Sequence, residues 1–167
     1  MDHDFSHLTI RTASVSDLDA IAALEAACFP AAEAATRASL AARLAVFADR
    51  FWLLEDNGTL VSYIAGPVTH TDCLTDDLYD APGCHASSAP WQMIFSVVTD
   101  PACQHRGYAA YLMRRAVEVC RHEGRQGLIL TCKDALRAFY AQFGFQDEGI
   151  SSSVHGGAVW SQMRLKF

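Results

Sequence analysis

The chain has 167 residues, 51% apolar and 19% charged, the size and composition of one globular domain and not of a disordered chain. Its net charge of -6 disfavours general nucleic-acid binding, which needs a basic face. Its apolar runs fall far short of the roughly 20 residues that span a membrane.

His7 to Thr12 alternates apolar and polar residues, as a half-buried strand does. Ser14 or Ser16 then caps a helix with Asp17 in its first turn and an apolar face of Leu18, Ile21, Ala22 and Leu24. Cys28-Phe29-Pro30 ends it. A second helix is predicted from about Ala32 to Ala48. Arg50 to Glu55 reads as a strand, Asp56-Asn57-Gly58 as a hairpin turn, and Thr59 to Pro67 as the returning strand. Val68 to Pro90 is predicted as a long irregular loop with one short helix near Leu74 to Tyr79; such loops are usually functional.

Trp91 to Thr99 is nearly all apolar, as suits a central strand buried on both faces. Gly107 to Glu123 has helical spacing and ends at Gly124. Gly127 to Thr131 is another buried strand, Asp134 to Phe143 a short helix, and Phe145 to Ile150 with Ala158 to Lys166 a closing pair of strands. The predicted fold class is α/β, a mixed sheet with about four helices on its faces, in one domain over residues 1–167.

The junction of the central strand and the third helix carries the clearest chemical signal. Gln104-His105-Arg106-Gly107-Tyr108-Ala109 reads Q-x-x-G-x-A. Small residues at Gly107 and Ala109 let a ligand reach the backbone, and the first amides of a helix have no intrahelical acceptor and carry partial positive charge. A phosphate or pyrophosphate fits there, with charge from His105 and Arg106. Alone, this pattern is equally a glycine-containing turn before a helix.

The second segment is Cys132-Lys133-Asp134-Ala135-Leu136-Arg137-Ala138-Phe139-Tyr140-Ala141-Gln142-Phe143-Gly144-Phe145. Together the two segments resemble the GNAT superfamily of N-acetyltransferases. Within it, C-x-D-A-L-x-x-F-Y-x-x-F-G-F is similar to the arylalkylamine branch. The resemblance implies direct transfer of acetyl from acetyl-CoA to an amine. Its pyrophosphate is expected on the amides from Gln104 to Ala109 and its pantetheine arm beside Val97 and Val98, with Phe139 among the cofactor contacts. Tyr140 matches the tyrosine that protonates the leaving thiolate.

The family's two proton-relaying histidines on the central strand are replaced here by Met93 and Phe95, which do not titrate. An amine with a pKa of about 10.4 costs on the order of 4 kcal/mol to deprotonate at pH 7, so an acceptor is needed. His155 in S-x-x-H-G-G is the leading candidate, ahead of His85, His70, Glu33 and Asp134; water and backbone carbonyls are the alternative. Phe29, Pro30, Trp91, Met93 and Phe95 are candidates to line an apolar amine pocket, with ordinary core an equal reading for Trp91 and Phe95. Cys132 follows an apolar strand and has no histidine partner in sequence, so it reads as a wall residue and not a nucleophile.

The six cysteines form no C-x-x-C pair, and no metal site is expected. The polar, acidic start of the chain reads as no leader, so a cytoplasmic location with reduced thiols is expected, as monomer or homodimer. The expected partners are acetyl-CoA and a small amine, arylalkyl- or polyamine-like, with no nucleic acid and no membrane. A protein or peptide N-terminal acetyltransferase and a non-catalytic acyl-CoA sensor are the rival readings.

Overall fold

The computed structural model describes residues 4–167. Nine strands and four α-helices alternate in it: β1 (Leu8–Thr12), α1 (Leu18–Cys28), α2 (Arg37–Phe47), β2 (Phe51–Asp56), β3 (Thr59–Ala65), β4 (Val68–Thr69), β5 (Trp91–Ile94), β6 (Ser96–Thr99), α3 (Tyr108–His122), β7 (Gly127–Cys132), α4 (Arg137–Ala141), β8 (Gln146–Ile150) and β9 (Ser161–Lys166). They form two sheets, β1-β2-β3-β6 and β4-β5-β7-β9-β8. Only β5 and β7 run parallel, which makes the mixed α/β arrangement expected from the sequence.

The departures from the predicted elements have local causes. The second helix starts at Arg37, because Thr36 caps it by accepting from the Ser39 amide at 3.1 Å. Residues 30–34 form a turn instead, with the Pro30 carbonyl accepting from Glu33 and Ala34. The segment after β3 is more ordered than predicted: β4 pairs with β5, and short 3-10 turns follow at Asp76–Asp80 and Pro82–Cys84. The long central strand is two strands, interrupted at Phe95, whose amide bonds to the Ala65 carbonyl at 2.8 Å. Asn57 and Gly58 both have positive φ, as a tight hairpin turn requires.

Two apolar cores flank the first sheet. Leu112, Met113 and Ala116 of α3 pack with Trp52, Ile64 and Leu130. Ile21 and Leu24 of α1 pack with Leu40, Leu44 and Phe47 of α2 and with Phe51, Leu53 and Tyr63. A smaller cluster joins Leu74 and Leu78 to Trp91, Met93 and Ile129. Among the described residues, no helix is long and apolar enough to cross a membrane.

Candidate active site

β5 stays paired with β7 only as far as Ile94 opposite Leu130, while β6 pairs with β3 from Ser96 onward. The two central strands therefore part at Phe95, and β6 becomes the edge of its sheet. A cavity of about 110 Å³ opens at the split. Ile94, Phe95, Ser96 and Val97 line it from one strand, Leu130, Thr131 and Cys132 from the other, and Leu136 and Tyr140 from the segment after β7.

The turn that follows β6 leaves a run of backbone amides open. Gln104, His105, Arg106 and Gly107 are exposed, and His105 and Gly107 have φ of 64° and 82°. Positive φ at alternate positions curls successive amides toward one side, as in anion-binding concavities. Among the described residues no protein acceptor meets the amides from Gln104 to Ala110; the next, on Tyr111, bonds to the Gly107 carbonyl. Behind the turn, the Tyr108 ring is buried and its hydroxyl donates to Asp56 at 3.4 Å, which anchors the start of α3.

Tyr140 is buried against Phe139 and Phe145 with its ring on the cavity wall. Its hydroxyl bonds to no other described residue. Burial, with the nearby Cys132 thiol, pushes its pKa well above the ordinary tyrosine value, so the phenol holds its proton. Burial likewise pushes the Cys132 thiol up to about 11. A thiol so held is a poor nucleophile, in agreement with its reading as a wall.

The opposite wall is rich in polar groups. Glu25 is buried, accepting from the Tyr63 hydroxyl and, at 3.0 Å, from the Ala35 amide. Arg43 is buried too: one outer nitrogen donates to the Tyr79 carbonyl at 3.0 Å, and the guanidinium lies 5.0 Å from the Phe95 ring centre. Glu33 pairs with Lys133 at 2.6 Å. His155 Nε2 lies 2.8 Å from the Glu33 carbonyl. A carbonyl only accepts, so Nε2 carries a hydrogen, and Nδ1 is the nitrogen that can act as an acceptor.

Those contacts join three loops over the cavity. The 151–160 loop reaches the 29–36 loop through His155 and Glu33, and reaches the 70–90 segment through Ser153 and the Val154 amide, which donate to Asp76 at 2.5 and 3.0 Å. The rings of Tyr79 and Trp160 flank His155 at 5.0 and 6.1 Å.

Of the residues singled out in sequence, Tyr140, His155, Glu33, Cys132, Val97, Phe29 and Phe95 come together on the cavity. Val98 does not line it: strand alternation turns its side chain into the α1–α2 core, and its carbonyl accepts from Ser62 Oγ at 2.6 Å. Met93 is wholly buried with Leu74, Leu78 and Trp91, and does not line the cavity either. Pro30 is exposed beside it. His85 points away, its Nδ1 accepting from the Val68 amide at 3.0 Å, and burial lowers its pKa. His70 and Asp134 are exposed.

Glu25, Arg43, Tyr79 and Trp160 line the same cavity and escaped the sequence reading. A signal was present: Arg43 stands on the stripe Leu40, Arg43, Leu44, Phe47, and Glu25 beside Ile21 and Leu24, each a charge at a core-facing helical position. Among the described residues, no group of three or more His, Cys, Asp or Glu could hold a metal ion.

Comparison with known proteins places this arrangement among relatives. The model of the acetyltransferase (GNAT) family matches residues 18–145. A probable glucosamine 6-phosphate N-acetyltransferase of Oryza sativa subsp. japonica is 37% identical over 59 residues, 35% of this chain and 36% of that protein. The chain thus spans about a third of that relative's length. Among solved structures, the GphF GNAT-like decarboxylase in complex with isobutyryl-CoA superposes with a TM-score of 0.81 at 22% identity, over 95% of this chain and 98% of that one. The ribosomal-protein-S18-alanine N-acetyltransferase of Escherichia coli gives 0.71 at 18% identity, over 95% and 93%.

Proposed function

Because the chain belongs to the acetyltransferase (GNAT) family, we propose that it transfers acetyl from acetyl-CoA directly to a small primary amine. The observation that carries this reading is the meeting, at one strand split, of a Tyr140 phenol that keeps its proton and a histidine with a free acceptor nitrogen.

The amides from Gln104 to Ala109 hold the pyrophosphate, with no side chain in the way at Gly107, and the free edge of β6 at Val97 holds the pantetheine arm. Both sites fit: the amides are unclaimed, and a Cβ at Gly107 would meet nothing closer than 3.8 Å. His155 Nδ1 takes the proton of the attacking amine, directly or through water. Tyr140 gives its proton to the departing thiolate. Phe29, Phe95 and Tyr79 supply apolar walls for the amine's body. The likeness of Cys132 to Phe145 to the arylalkylamine branch supports such an amine.

A peptide N-terminus is the second reading, since the Escherichia coli enzyme above shares the fold. The three cross-linked loops and a cavity of about 110 Å³ favour a small acceptor. The test is a panel of amines and short peptides in an assay of CoA release from acetyl-CoA. Turnover of small amines alone supports the proposal. Turnover of peptides alone moves the chain to the second reading, and binding of CoA without any turnover makes it a sensor.

A further inference from the structure

One wall of the cavity carries a cation with unused donors. Arg43 is 5% exposed and lines the cavity, and its Nε–H meets no acceptor. Only one outer nitrogen is engaged, by the Tyr79 carbonyl. No carboxylate forms a direct ion pair with it among the described residues: Glu25, held by Tyr63 and the Ala35 amide, and Asp80 act on it only from a distance, and Glu33 is held by Lys133.

A buried donor without an acceptor costs the desolvation of that group, and a buried cation with no directly bonded counter-charge costs more. Packing alone does not explain the guanidinium, because an apolar side chain of similar length would cover Phe95 without that cost. A guanidinium fork suits a carboxylate, which accepts from two N–H groups at once. We propose that Arg43 binds a carboxylate that a substrate carries into the cavity. The inference rests on the acetyl-transfer reading for its acceptor class: an amine bearing a carboxylate, as an amino acid does, and not a bare amine. The carboxylate then lies along Arg43 and the amine faces His155, in the cavity that Phe29 and Phe95 also line.

The test uses matched pairs, each an amino acid and the amine left when its carboxylate is removed: glycine with methylamine, and phenylalanine with phenethylamine. Binding is measured by calorimetry on CoA-saturated protein, and turnover by CoA release. Malonyl-CoA against acetyl-CoA tests whether the carboxylate arrives on the acyl arm. The expected result is a preference of at least about tenfold for the carboxylated member, as a charge-assisted hydrogen bond gives. That preference falls to near one in Arg43→Gln and is partly kept in Arg43→Lys. An Arg43-dependent preference for malonyl-CoA instead keeps the carboxylate site and assigns its source to the acyl group. Equal binding of both members of each pair and of both thioesters by the unmodified protein overturns the proposal, as does a preference that survives in Arg43→Gln. Calorimetry does not depend on turnover. Loss of the acetyl-transfer reading, seen as no CoA release with any amine, is therefore distinguishable from loss of the carboxylate site.

Discussion

Arg43 and Arg50 are equally buried, each 5% exposed, and lie seven positions apart in sequence, yet their surroundings are opposite. Arg50 donates to Gln92 Oε1 at 3.0 and 2.7 Å and to both oxygens of Glu123 at 2.8 and 3.2 Å, over the Trp52 ring. Gln92 passes the network on to the Gly66 and Met93 carbonyls at 2.7 Å. Arg43 has one carbonyl and a bare Nε. The satisfied arginine, just before β2, ties the C-terminal end of α3 to β5, so it serves the fold. The unsatisfied one retains donors for something that enters from outside, so it serves the site.

The largest effect is expected from Arg50→Met. It strands Gln92 and half of the Glu123 carboxylate, and unfolding in denaturant is expected to show a loss of about 3 kcal/mol. A loss below about 1 kcal/mol would make the network ornamental. Acid should erode that difference. Burial alone would raise the Glu123 pKa, but the Arg50 bonds and charge, with Arg125, outweigh it and hold it below 4.5. A depressed carboxylate stabilises the fold above its unfolded value and ceases to as pH falls through its folded value. The gap between wild type and Arg50→Met is therefore expected to narrow in melts below about pH 4.5.

Arg43→Met should do little to stability. It loses one carbonyl bond and the contact with Phe95, and removes a cation whose pKa burial already lowers. The expected change is under about 1 kcal/mol by the same denaturant measurement. A loss as large as that of Arg50→Met would assign Arg43 to the fold. The smallest effect concerns the thiols. Exposed Cys73 should be alkylated first at pH 8, and Cys132 and Cys120, both pushed up to about 11 by burial, last. Rapid labelling of Cys132 would mean an activated thiol on the cavity and reopen the covalent route.

The same contrast explains what could be read in advance. The turn at Gln104 to Ala109 and the run from Cys132 to Phe145 are contiguous, so their chemistry is written in local spacing. Most of the succession of strands and helices along the chain followed from apolar runs and the Asn57-Gly58 turn. The interruption at Phe95 was hidden, because neither glycine nor proline marks it; it arises where β3 and β7 claim different halves of one apolar run. His155 was legible, but its assembly with the rest of the acceptor wall was not. Glu25, Arg43, Tyr79 and His155 come from four separate segments, and only tertiary contacts bring them together. Met93 and Phe95 share a strand face in sequence and both pack with the Leu74–Trp91 cluster, yet only Phe95 also lines the cavity.

The central claim is that this cavity performs acetyl transfer with Tyr140 as the proton donor, and the most direct test is Tyr140→Phe. Its kcat for amine-dependent CoA release is measured beside its affinity for acetyl-CoA. The account expects kcat to fall by about 10²- to 10⁴-fold, the usual contribution of a positioned acid, with acetyl-CoA affinity little changed. A variant that turns over at nearly the wild-type rate would contradict it.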